Sequence, residues 1–265
     1  MKLITLNVAL FEANNSKLIK FLKAQKADII CLQEVVKEID TTVLHEYITK
    51  KPIDLATSEL SYTFFGPNSI MDRFDMEGFH GHDAFHFDLE GLAEMGNYTK
   101  SKFKITKGQN IFVQNHFTYT TDRSKWPDED YRAVLLTDLE IGKKKLRVLN
   151  YHGIWTRNKL GNEKSFEACE KINSLALEAN GDVVICGDFN LFPDTSSMKI
   201  FNKNFISLVD KYKVKTTRPA SNELNKLDRN VVDYIWVSKS INVKSFEVIE
   251  SDVSDHLPLI LEFDI

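Results

Sequence analysis

Acid, amide and imidazole side chains recur beside the ends of apolar, strand-like segments of this 265-residue chain. The clearest case is residues 182–190, where an apolar run and a glycine lead into Asp188, Phe189 and Asn190. Such a run is typical of a strand buried on both faces. Because side chains alternate along an extended chain, Asp188 and Asn190 should point one way and Phe189 the other. The alternative is that both polar residues only cap a turn after the strand.

Similar residues accompany other strand-like segments. They are Asn7, Glu34, Asn150 with His152, Asp233, and Asp255 with His256. Each has an ordinary explanation when it is taken alone, such as a turn cap, a solvated strand start or a satisfied core histidine. Together they would require several unrelated polar residues at similar places. We therefore interpret them as one site at an edge of a sheet, where strands of α/β proteins commonly present ligand-binding groups.

The chemistry that these residues suit is metal-assisted hydrolysis of a phosphate ester. A hard cation such as Mg²⁺, for which Mn²⁺ can substitute, takes oxygen ligands and needs only one or two carboxylates besides the substrate phosphate. The amides of Asn7 and Asn190 can hold waters or phosphate oxygens without adding negative charge. A histidine held by a partner can act as a base near neutral pH, and a cationic or hydrogen-bond-donating histidine can stabilise charge on phosphate.

The elements that must position these residues alternate between strands and helices. Residues 3–36 read as strand, helix and strand, which predicts two adjacent parallel strands. Closely spaced strands between residues 98 and 152 indicate an antiparallel meander. Helices at about 163–179 and 195–201 and three late strands complete the pattern. Without a linker or a change in composition, we expect a single domain over residues 1–265.

Residues 66–96 break this regular pattern, and we expect an irregular insertion there. Our hypothesis is that it overhangs the site beside Asn97 and Trp155 and restricts what can enter, because substrate rings could stack on its aromatic side chains. The alternatives are a surface flap with a satellite core and a zinc site at three histidines. The aromatic residues and histidines concerned are Phe74, Phe79, Phe85, Phe87, His80, His82 and His86.

Composition narrows the class of protein further. The formal net charge of −4 argues against a wholly basic nucleic-acid wrapper, but leaves room for a local basic groove. The three cysteines lie in apolar patterns without zinc spacing, which is typical of reduced thiols. We find no signal-like N-terminus and no apolar stretch of roughly 20 residues, so we expect a cytoplasmic protein without a membrane span. Nothing indicates an obligate protein partner.

An ordered set of short motifs resembles a known family. The motifs are Thr5-Leu6-Asn7, Leu32-Gln33-Glu34, Asn150-Tyr151-His152, Gly187-Asp188-Phe189-Asn190, Asp233-Tyr234-Ile235 and Ser254-Asp255-His256-Leu257-Pro258. In this order they resemble the endonuclease/exonuclease/phosphatase family, which includes deoxyribonuclease I. The resemblance extends from the first strand to the last. It implies an α/β (α+β) four-layer sandwich, in which two packed mixed β-sheets are flanked by helices and the site lies at one sheet edge.

The resemblance also implies roles for the matching residues. Glu34 would bind the metal, Asn7 would support it and Asp255 would lie beside it. Asp188 would position or deprotonate the attacking water, while Asn190 holds the phosphate. Which of Asp188 and His256 is the general base stays open.

The remaining roles concern the substrate and its charge. His256, paired with Asp233, would act as acid, base or transition-state stabiliser, and His152 would contact the phosphate. The expected substrate contacts are Asn150, Arg132 and Trp155.

The substrate itself stays open. Leu6 stands where abasic-site endonucleases usually have tryptophan, and the longer basic signatures of inositol-phosphatase relatives are missing. Our first hypothesis is a divalent-metal-dependent phosphodiesterase acting on nucleic acid, DNA or RNA, or on a nucleic-acid end. The second is the same chemistry on a small phosphorylated metabolite or lipid headgroup. A catalytically inactive binding module is the third, and the presence of all the expected acid, base and metal residues argues against it.

Overall fold

Two β-sheets stacked against each other position the site, in a computed structural model that describes residues 1–9, 15–39, 49–76, 85–120, 130–220 and 230–265. The strands are β1 (Lys2–Asn7), β2 (Ile29–Glu38), β3 (Tyr62–Met76), β4 (Phe85–Ser101), β5 (Lys104–Gln114), β6 (Thr118–Thr120), β7 (Arg132–Ile141), β8 (Lys144–His152), β9 (Asp182–Asp188), β10 (Phe205–Ser207), β11 (Asp233–Ser238), β12 (Asn242–Val248) and β13 (Leu259–Asp264). The helices are α1 (Asn15–Gln25), α2 (Lys50–Ala56), α3 (Glu163–Leu177), α4 (Ser196–Asn202) and α5 (Leu208–Lys211).

The first sheet has the strand order β12-β13-β1-β2-β4-β3-β6. Its strands β1 and β2 are parallel and in register from Leu3 opposite Ile29 to Asn7 opposite Gln33, with α1 in the crossover between them. The strand–helix–strand prediction is therefore confirmed. A parallel pair brings both carboxyl ends to the same edge, so Asn7 lies beside the part of β2 that carries Glu34.

The second sheet has the order β10-β11-β9-β8-β7-β5. The strand β9 lies near its middle, parallel to β8 and antiparallel to β11. Its residues from Val183 onward are buried, as the apolar run predicts. The register places His152 opposite Asp188 and Asp188 opposite Asp233. Three candidate residues from separate strands therefore form one row across the sheet.

Alternation along the strands separates the layers of the fold. Leu3 of β1 packs in the large hydrophobic core between the two sheets. Its neighbours Ile4 and Leu6 point to the other face of the first sheet, where Ile4 and Leu6 pack against Leu18 and Leu22 of α1. The helices α1 and α2 pack on the first sheet, and α3, α4 and α5 pack on the second. Two mixed sheets with flanking helices are the fold that the resemblance implied. None of the described helices combines the length and apolar character that crossing a membrane requires.

The expectation of an irregular insertion over residues 66–96 is wrong for the parts of it that are described. Residues 66–76 belong to β3 and residues 85–96 to β4, and these strands pair antiparallel. Two of the glycines that suggested irregularity, Gly66 and Gly96, are sites of close approach: a Cβ on Gly96 would lie 2.1 Å from the carbonyl oxygen of Gly66. Phe79, His80 and His82 fall outside the described residues. Phe74, Phe85, His86 and Phe87 lie on the paired strands.

Two further expectations require correction. The meander covers only β5, β7 and β8, because β4 belongs to the first sheet. Sequence proximity could not reveal this, since β4 pairs with β2 and β3 instead. In addition, Glu34 does not end its strand: β2 continues to Glu38, and the register shift between Leu32 and Val35 marks a bulge there. A bulge redirects a side chain without ending the strand.

Candidate functional site

The predicted site residues converge where the edges of the two sheets meet. The first sheet contributes Asn7 and Glu34, and the second contributes the row that includes Asp188. His256 comes from the segment before β13. The Ser254 hydroxyl anchors this segment by donating to the Asn7 carbonyl at 2.7 Å and accepting from the His256 backbone N–H at 3.2 Å. The site therefore depends on residues from both ends of the chain.

Asp188 is the centre of this cluster. Its Oδ2 accepts hydrogen bonds from Nδ2 of Asn7 at 3.1 Å and from Nδ2 of Asn190 at 3.3 Å. The Nε2 atoms of His256 and His152 lie 3.5 and 3.8 Å from the same oxygen. Burial alone would raise the pKa of Asp188, but these imidazoles and nearby cationic side chains hold it well below its usual range. The carboxylate is therefore ionised and aimed into the site.

His256 and Asp233 form a close pair, as the resemblance implied. The distances from His256 Nδ1 to the two Asp233 carboxylate oxygens are 2.9 and 3.0 Å. Burial and the Arg218 guanidinium both disfavour the charged imidazole. The carboxylates around it outweigh these effects and raise the pKa of His256 to about 9. With Nδ1 donating to Asp233, the Nε2–H faces Asp188 as a cationic donor at neutral pH.

His152 has the opposite environment. Arg132 Nη1 lies 2.9 Å from His152 Nδ1, and Arg132 also pairs with the buried Asp130 at 2.5 Å. A guanidinium can only donate, so Nδ1 accepts and the neutral ring carries its proton on Nε2. Burial and Arg132 lower the pKa of His152 well below its usual value. His152 is therefore a neutral donor toward Glu34, whose Oε1 is 3.5 Å from Nε2. Arg132 lies behind this ring and orients it.

Glu34 and Asp188 provide a pair of carboxylates that suits a hard divalent cation. Both accept from the Asn7 amide, with Nδ2 at 3.0 Å from Glu34 Oε1, while Asn7 Oδ1 accepts from the Ala9 backbone N–H. Glu34 has a left-handed backbone, with φ of 57°, which turns its side chain out of the strand. Oxygen donors without nearby thiolates fit Mg²⁺ or Mn²⁺ better than a soft metal.

A second potential ligand group lies beside this pair. Asp188, Asp233 and His256 offer ligand atoms within 4.8 Å of one another. In this group the imidazole and the Asp233 carboxylate are already hydrogen-bonded to each other. Glu34 therefore remains the carboxylate that is better suited to hold a cation, with Asp188 next to it.

Asp255 pairs with a cation that the sequence did not single out. Arg218 donates from Nη1 to Asp255 Oδ2 at 2.6 Å and to the Asp255 carbonyl at 3.1 Å. Burial would raise the pKa of Asp255, but His256 and Arg218 hold it below its usual range. Arg218 precedes a segment without a periodic pattern, so only the tertiary structure brings it to the site.

Lys159 is the second functional candidate that sequence analysis missed. Its Nζ donates to Asn190 Oδ1 at 2.6 Å and lies 4.8 Å from the centroid of the Trp155 ring. An ammonium group can only donate, so this contact fixes the Asn190 amide with Oδ1 toward Lys159 and Nδ2 toward Asp188. The only sequence signal was a lysine soon after the His152 strand, which is too general to predict a site.

Asn150 does not lie where a substrate could reach it. The residue is fully buried, its Nδ2 donates to the carbonyls of Leu32 and Tyr98, both at 3.1 Å, and its Oδ1 accepts from Gln33 Nε2 at 2.7 Å. Alternation correctly put Asn150 on the same face as His152, but that face packs against the first sheet. Asn150 therefore joins the two sheets behind the site.

A cavity of about 440 Å³ adjoins the segment that follows His152. Trp155 lines it and also contacts the Lys159 ammonium group, which donates a hydrogen bond to Asn190. The Gln114 side chain is buried at the same cavity, and its Oε1 has no hydrogen-bond partner among the described residues. The other lining residues are Ile154, Thr156, Arg157, Asn158, Gly161, Asn162 and Lys164.

The chain matches the model of the Endonuclease/Exonuclease/phosphatase family over residues 4–256, and it therefore belongs to this family. Members of the family are hydrolases that act on phosphate esters, nucleases and phosphatases among them, and they generally use a divalent metal. No curated protein sequence matches the chain.

Three solved structures of the same fold are distant from this chain in sequence. An endonuclease/exonuclease/phosphatase from Beutenbergia cavernae has a TM-score of 0.69 at 15% identity, over 99% of this chain and 71% of that one. A family protein from Bacteroides vulgatus has a TM-score of 0.68 at 16% identity, over 100% and 98%. A mannosyl-6-phosphatase from Bacteroides thetaiotaomicron has a TM-score of 0.66 at 17% identity, over 100% of both chains. Identities this low indicate a shared fold alone.

Proposed function

We propose that this protein is a divalent-metal-dependent phosphoesterase that hydrolyses a phosphodiester bond. The observation that supports this most directly is the convergence of hydrogen-bond donors from Asn7, Asn190, His152 and His256 on the Asp188 carboxylate, with Glu34 next to it. A divalent cation held by Glu34 would neutralise charge on the phosphate and on the leaving oxygen. Asn7 orients both carboxylates for this arrangement.

The pKa directions support different roles for Asp188 and His256. His256 carries a charge at neutral pH and is therefore suited to stabilise developing charge on the phosphate oxygens. We assign the attacking water to Asp188, which is ionised and orients the water by accepting a hydrogen bond from it. Because the low pKa makes Asp188 a weak base, it accepts a proton only as the new P–O bond forms, when the proton on the attacking oxygen has become strongly acidic. The leaving oxygen keeps the electron pair of the broken bond and takes a proton from water. Asp188 then releases its proton, which closes the cycle.

His152 and Asn190 complete the proposed machinery. The neutral His152 ring offers its Nε2–H to a phosphate oxygen, with Arg132 fixing the tautomer. Asn190 has its amide group turned toward Asp188 and can hold the phosphate beside the attacking water. We propose nucleic acid, or the end of a nucleic-acid strand, as the first substrate class to test, and Trp155 as a residue that contacts the substrate.

A second candidate substrate is a small phosphorylated metabolite, and the cavity supports it. Its volume of about 440 Å³ is within the range typical of small-molecule sites, roughly 300–1,000 Å³. Trp155, Arg157 and Lys164 line it, so a ring with polar or anionic substituents would find both an aromatic surface and cations there. The similar fold of a mannosyl-6-phosphatase makes sugar phosphates a sensible part of the test.

The test is a substrate panel assayed with and without metal. Single- and double-stranded DNA, RNA, sugar phosphates, inositol phosphates and a phosphorylated lipid headgroup would each be incubated with Mg²⁺, Mn²⁺ or excess chelator. We expect hydrolysis of at least one class, its loss in chelator and its recovery with Mg²⁺ or Mn²⁺. Full activity in excess chelator would contradict the metal dependence, and no hydrolysis of any class would favour an inactive binding module.

A matched pair of variants links the metal to Glu34. Glu34→Gln should lower turnover and raise the Mg²⁺ concentration needed for half-maximal rate, because an amide is a poorer ligand than a carboxylate. The control is Glu94→Gln, which alters a carboxylate of the same sheet that pairs with Lys37 outside the site. If the Glu34→Gln variant kept the wild-type rate at limiting Mg²⁺, that result would show that Glu34 is not a metal ligand.

A further inference from the structure

Lys159 differs from the other buried cations in the described part of the chain. Four buried basic residues have a carboxylate oxygen within 3.0 Å: Lys100 with Asp54, Arg132 with Asp130, Arg147 with Asp138 and Arg218 with Asp255. Lys159 is 5% exposed, yet no carboxylate of the described residues forms an ion pair with it. A buried charge normally has such a partner, because transferring an unpaired ion from water to the protein interior costs several kcal/mol.

The surroundings hold the Lys159 backbone firmly in place. Its N–H donates to the Thr156 carbonyl at 3.0 Å, and its carbonyl accepts from the Phe192 N–H at 2.9 Å. Its φ of 57° is left-handed, which is unfavourable for a lysine and is here fixed by these contacts. The side chain therefore reaches Asn190 from a defined position.

The ammonium group keeps donor capacity after its contacts are counted. It has three N–H donors. One hydrogen bond goes to Asn190 Oδ1, and the Trp155 ring contributes a cation–π contact. Neither partner carries a negative charge. Burial lowers the pKa of Lys159 to about 7, although Asp188 opposes the change. The charged form would therefore be stabilised by an anion arriving at the site.

We propose that the Lys159 ammonium binds a non-bridging oxygen of the substrate phosphate and is its main protein-borne counter-ion on the Asn190 side of the site. The inference rests on the proposed function, because it takes the phosphate to lie beside Asn190. The ligand class is a phosphate group, whether it belongs to a nucleic acid or to a small metabolite. Lys159 donates to that oxygen while it holds the Asn190 amide in the orientation that faces Asp188.

The other role open to Lys159 is to position Asn190 without touching the substrate. Two substitutions separate these roles. Lys159→Met removes both the charge and the hydrogen bond. Lys159→Gln removes the charge but keeps an N–H group that can donate to Asn190 Oδ1. A positioning role would survive in Lys159→Gln, whereas a counter-ion role would be lost in both variants.

The experiment measures the response to inorganic phosphate, which needs no turnover. The melting temperature of wild type, Lys159→Met and Lys159→Gln is followed during phosphate titration, once with Mg²⁺ and once with chelator, and phosphate inhibition is measured with any active substrate. We expect both variants to weaken phosphate binding by tenfold or more, on the order expected from one charge-assisted hydrogen bond. KM should rise for the true substrate, and Lys159→Gln should retain more kcat than Lys159→Met.

The matched control is Lys100→Met, which removes a buried lysine outside the site that does pair with a carboxylate. This variant should lower the melting temperature but keep the wild-type response to phosphate. Unchanged phosphate binding in both Lys159 variants, or no phosphate response in wild type under either condition, would overturn the inference. If phosphate binding depends on Lys159 and no substrate is hydrolysed, the anion site stands while the proposed function fails.

Discussion

At the residue scale, the site contains two histidines whose partners give them opposite charge states. His256 faces Asp233 and is cationic, whereas His152 faces Arg132 and is neutral. In both cases the partner binds Nδ1 and leaves Nε2–H directed into the site. That group faces Asp188 in His256, and Glu34 and Asp188 in His152. One fold thus obtains a charged donor and a neutral donor from the same residue type, because a carboxylate supports the imidazolium and a guanidinium opposes it.

The pairing of Asp233 and His256 leads to a prediction of non-additivity. Asp233→Asn and His256→Gln should each reduce kcat by about 10³ or more, and the double variant should lose little beyond that, because the two groups act as one unit. The measurement is a double-mutant cycle on kcat with saturating Mg²⁺. Asp138→Asn, which alters a carboxylate paired with Arg147 away from the site, serves as the control and should change kcat little. Strictly multiplicative losses would reject the coupling.

At the element scale, the ends of β8 and β9 lie so close together that only glycine fits between them. A Cβ on Gly187 would lie 2.0 Å from the Tyr151 carbonyl oxygen, and one on Gly153 would lie 2.2 Å from that of Phe189. The Gly153 N–H donates to the Asp188 carbonyl at 2.6 Å, so the backbone fixes both strand ends at the site. Phe189, just after β9, is buried and packs against the Tyr151 ring of β8. The polar residues on either side of it, Asp188 and Asn190, therefore face the site.

This close approach predicts a large effect of one methyl group. Gly187→Ala should lower the free energy of unfolding by more than about 3 kcal/mol, since backbone atoms must separate and φ of 130° suits glycine alone. Gly142→Ala is the matched control. It also has a positive φ, 61°, but its added Cβ would meet nothing within 4 Å, so it should cost only about 1 kcal/mol. Denaturant unfolding measures both, and equal losses would show that strand spacing is not the cause.

At the scale of the whole molecule, buried amides join the two sheets behind the site. Asn150 of the second sheet is hydrogen-bonded to Gln33 and to two carbonyls of the first. Gln33 precedes Glu34 in the β2 bulge, so the same contact that joins the sheets also holds the strand that carries the metal-binding candidate. The relative position of Glu34 and Asp188 therefore depends on how the sheets stack.

The inter-sheet contact predicts a loss of stability without a loss of substrate affinity. Asn150→Ala should lower the free energy of unfolding by about 3 kcal/mol, because it removes three buried hydrogen bonds, to Gln33 and to the carbonyls of Leu32 and Tyr98. KM should stay near the wild-type value at temperatures where the variant is folded, since Asn150 is out of reach of substrate. Asn158→Ala, on the exposed segment after β8, is the control for stability. A large rise in KM with unchanged stability would restore the substrate-contact interpretation of Asn150.

The sequence by itself determined which residues have side chains suited to catalysis, and it showed that these residues lie near the ends of strands. Asn7, His152, Asp188 and Asp233 are terminal residues of β1, β8, β9 and β11, as their positions beside apolar runs indicated. It also fixed the parallel pairing of β1 with β2, and the opposed directions of Asp188 and Phe189. These features depend on side-chain alternation and on short connections, which act between residues close in the chain.

The tertiary structure alone decided how these side chains are paired and which of them are accessible. Four of these contacts join residues that are far apart in sequence, so no local sequence pattern could have predicted them. They are the contacts of Arg132 with His152, of Lys159 with Asn190, of Arg218 with Asp255, and of the buried Asn150 with the first sheet. Residues 66–76 and 85–96 likewise became regular strands because β3 and β4 pair with each other. Such contacts depend on sheet register and on the stacking of the two sheets, because burial removes water as a partner and each polar group must then bond to whichever residue packing brings beside it.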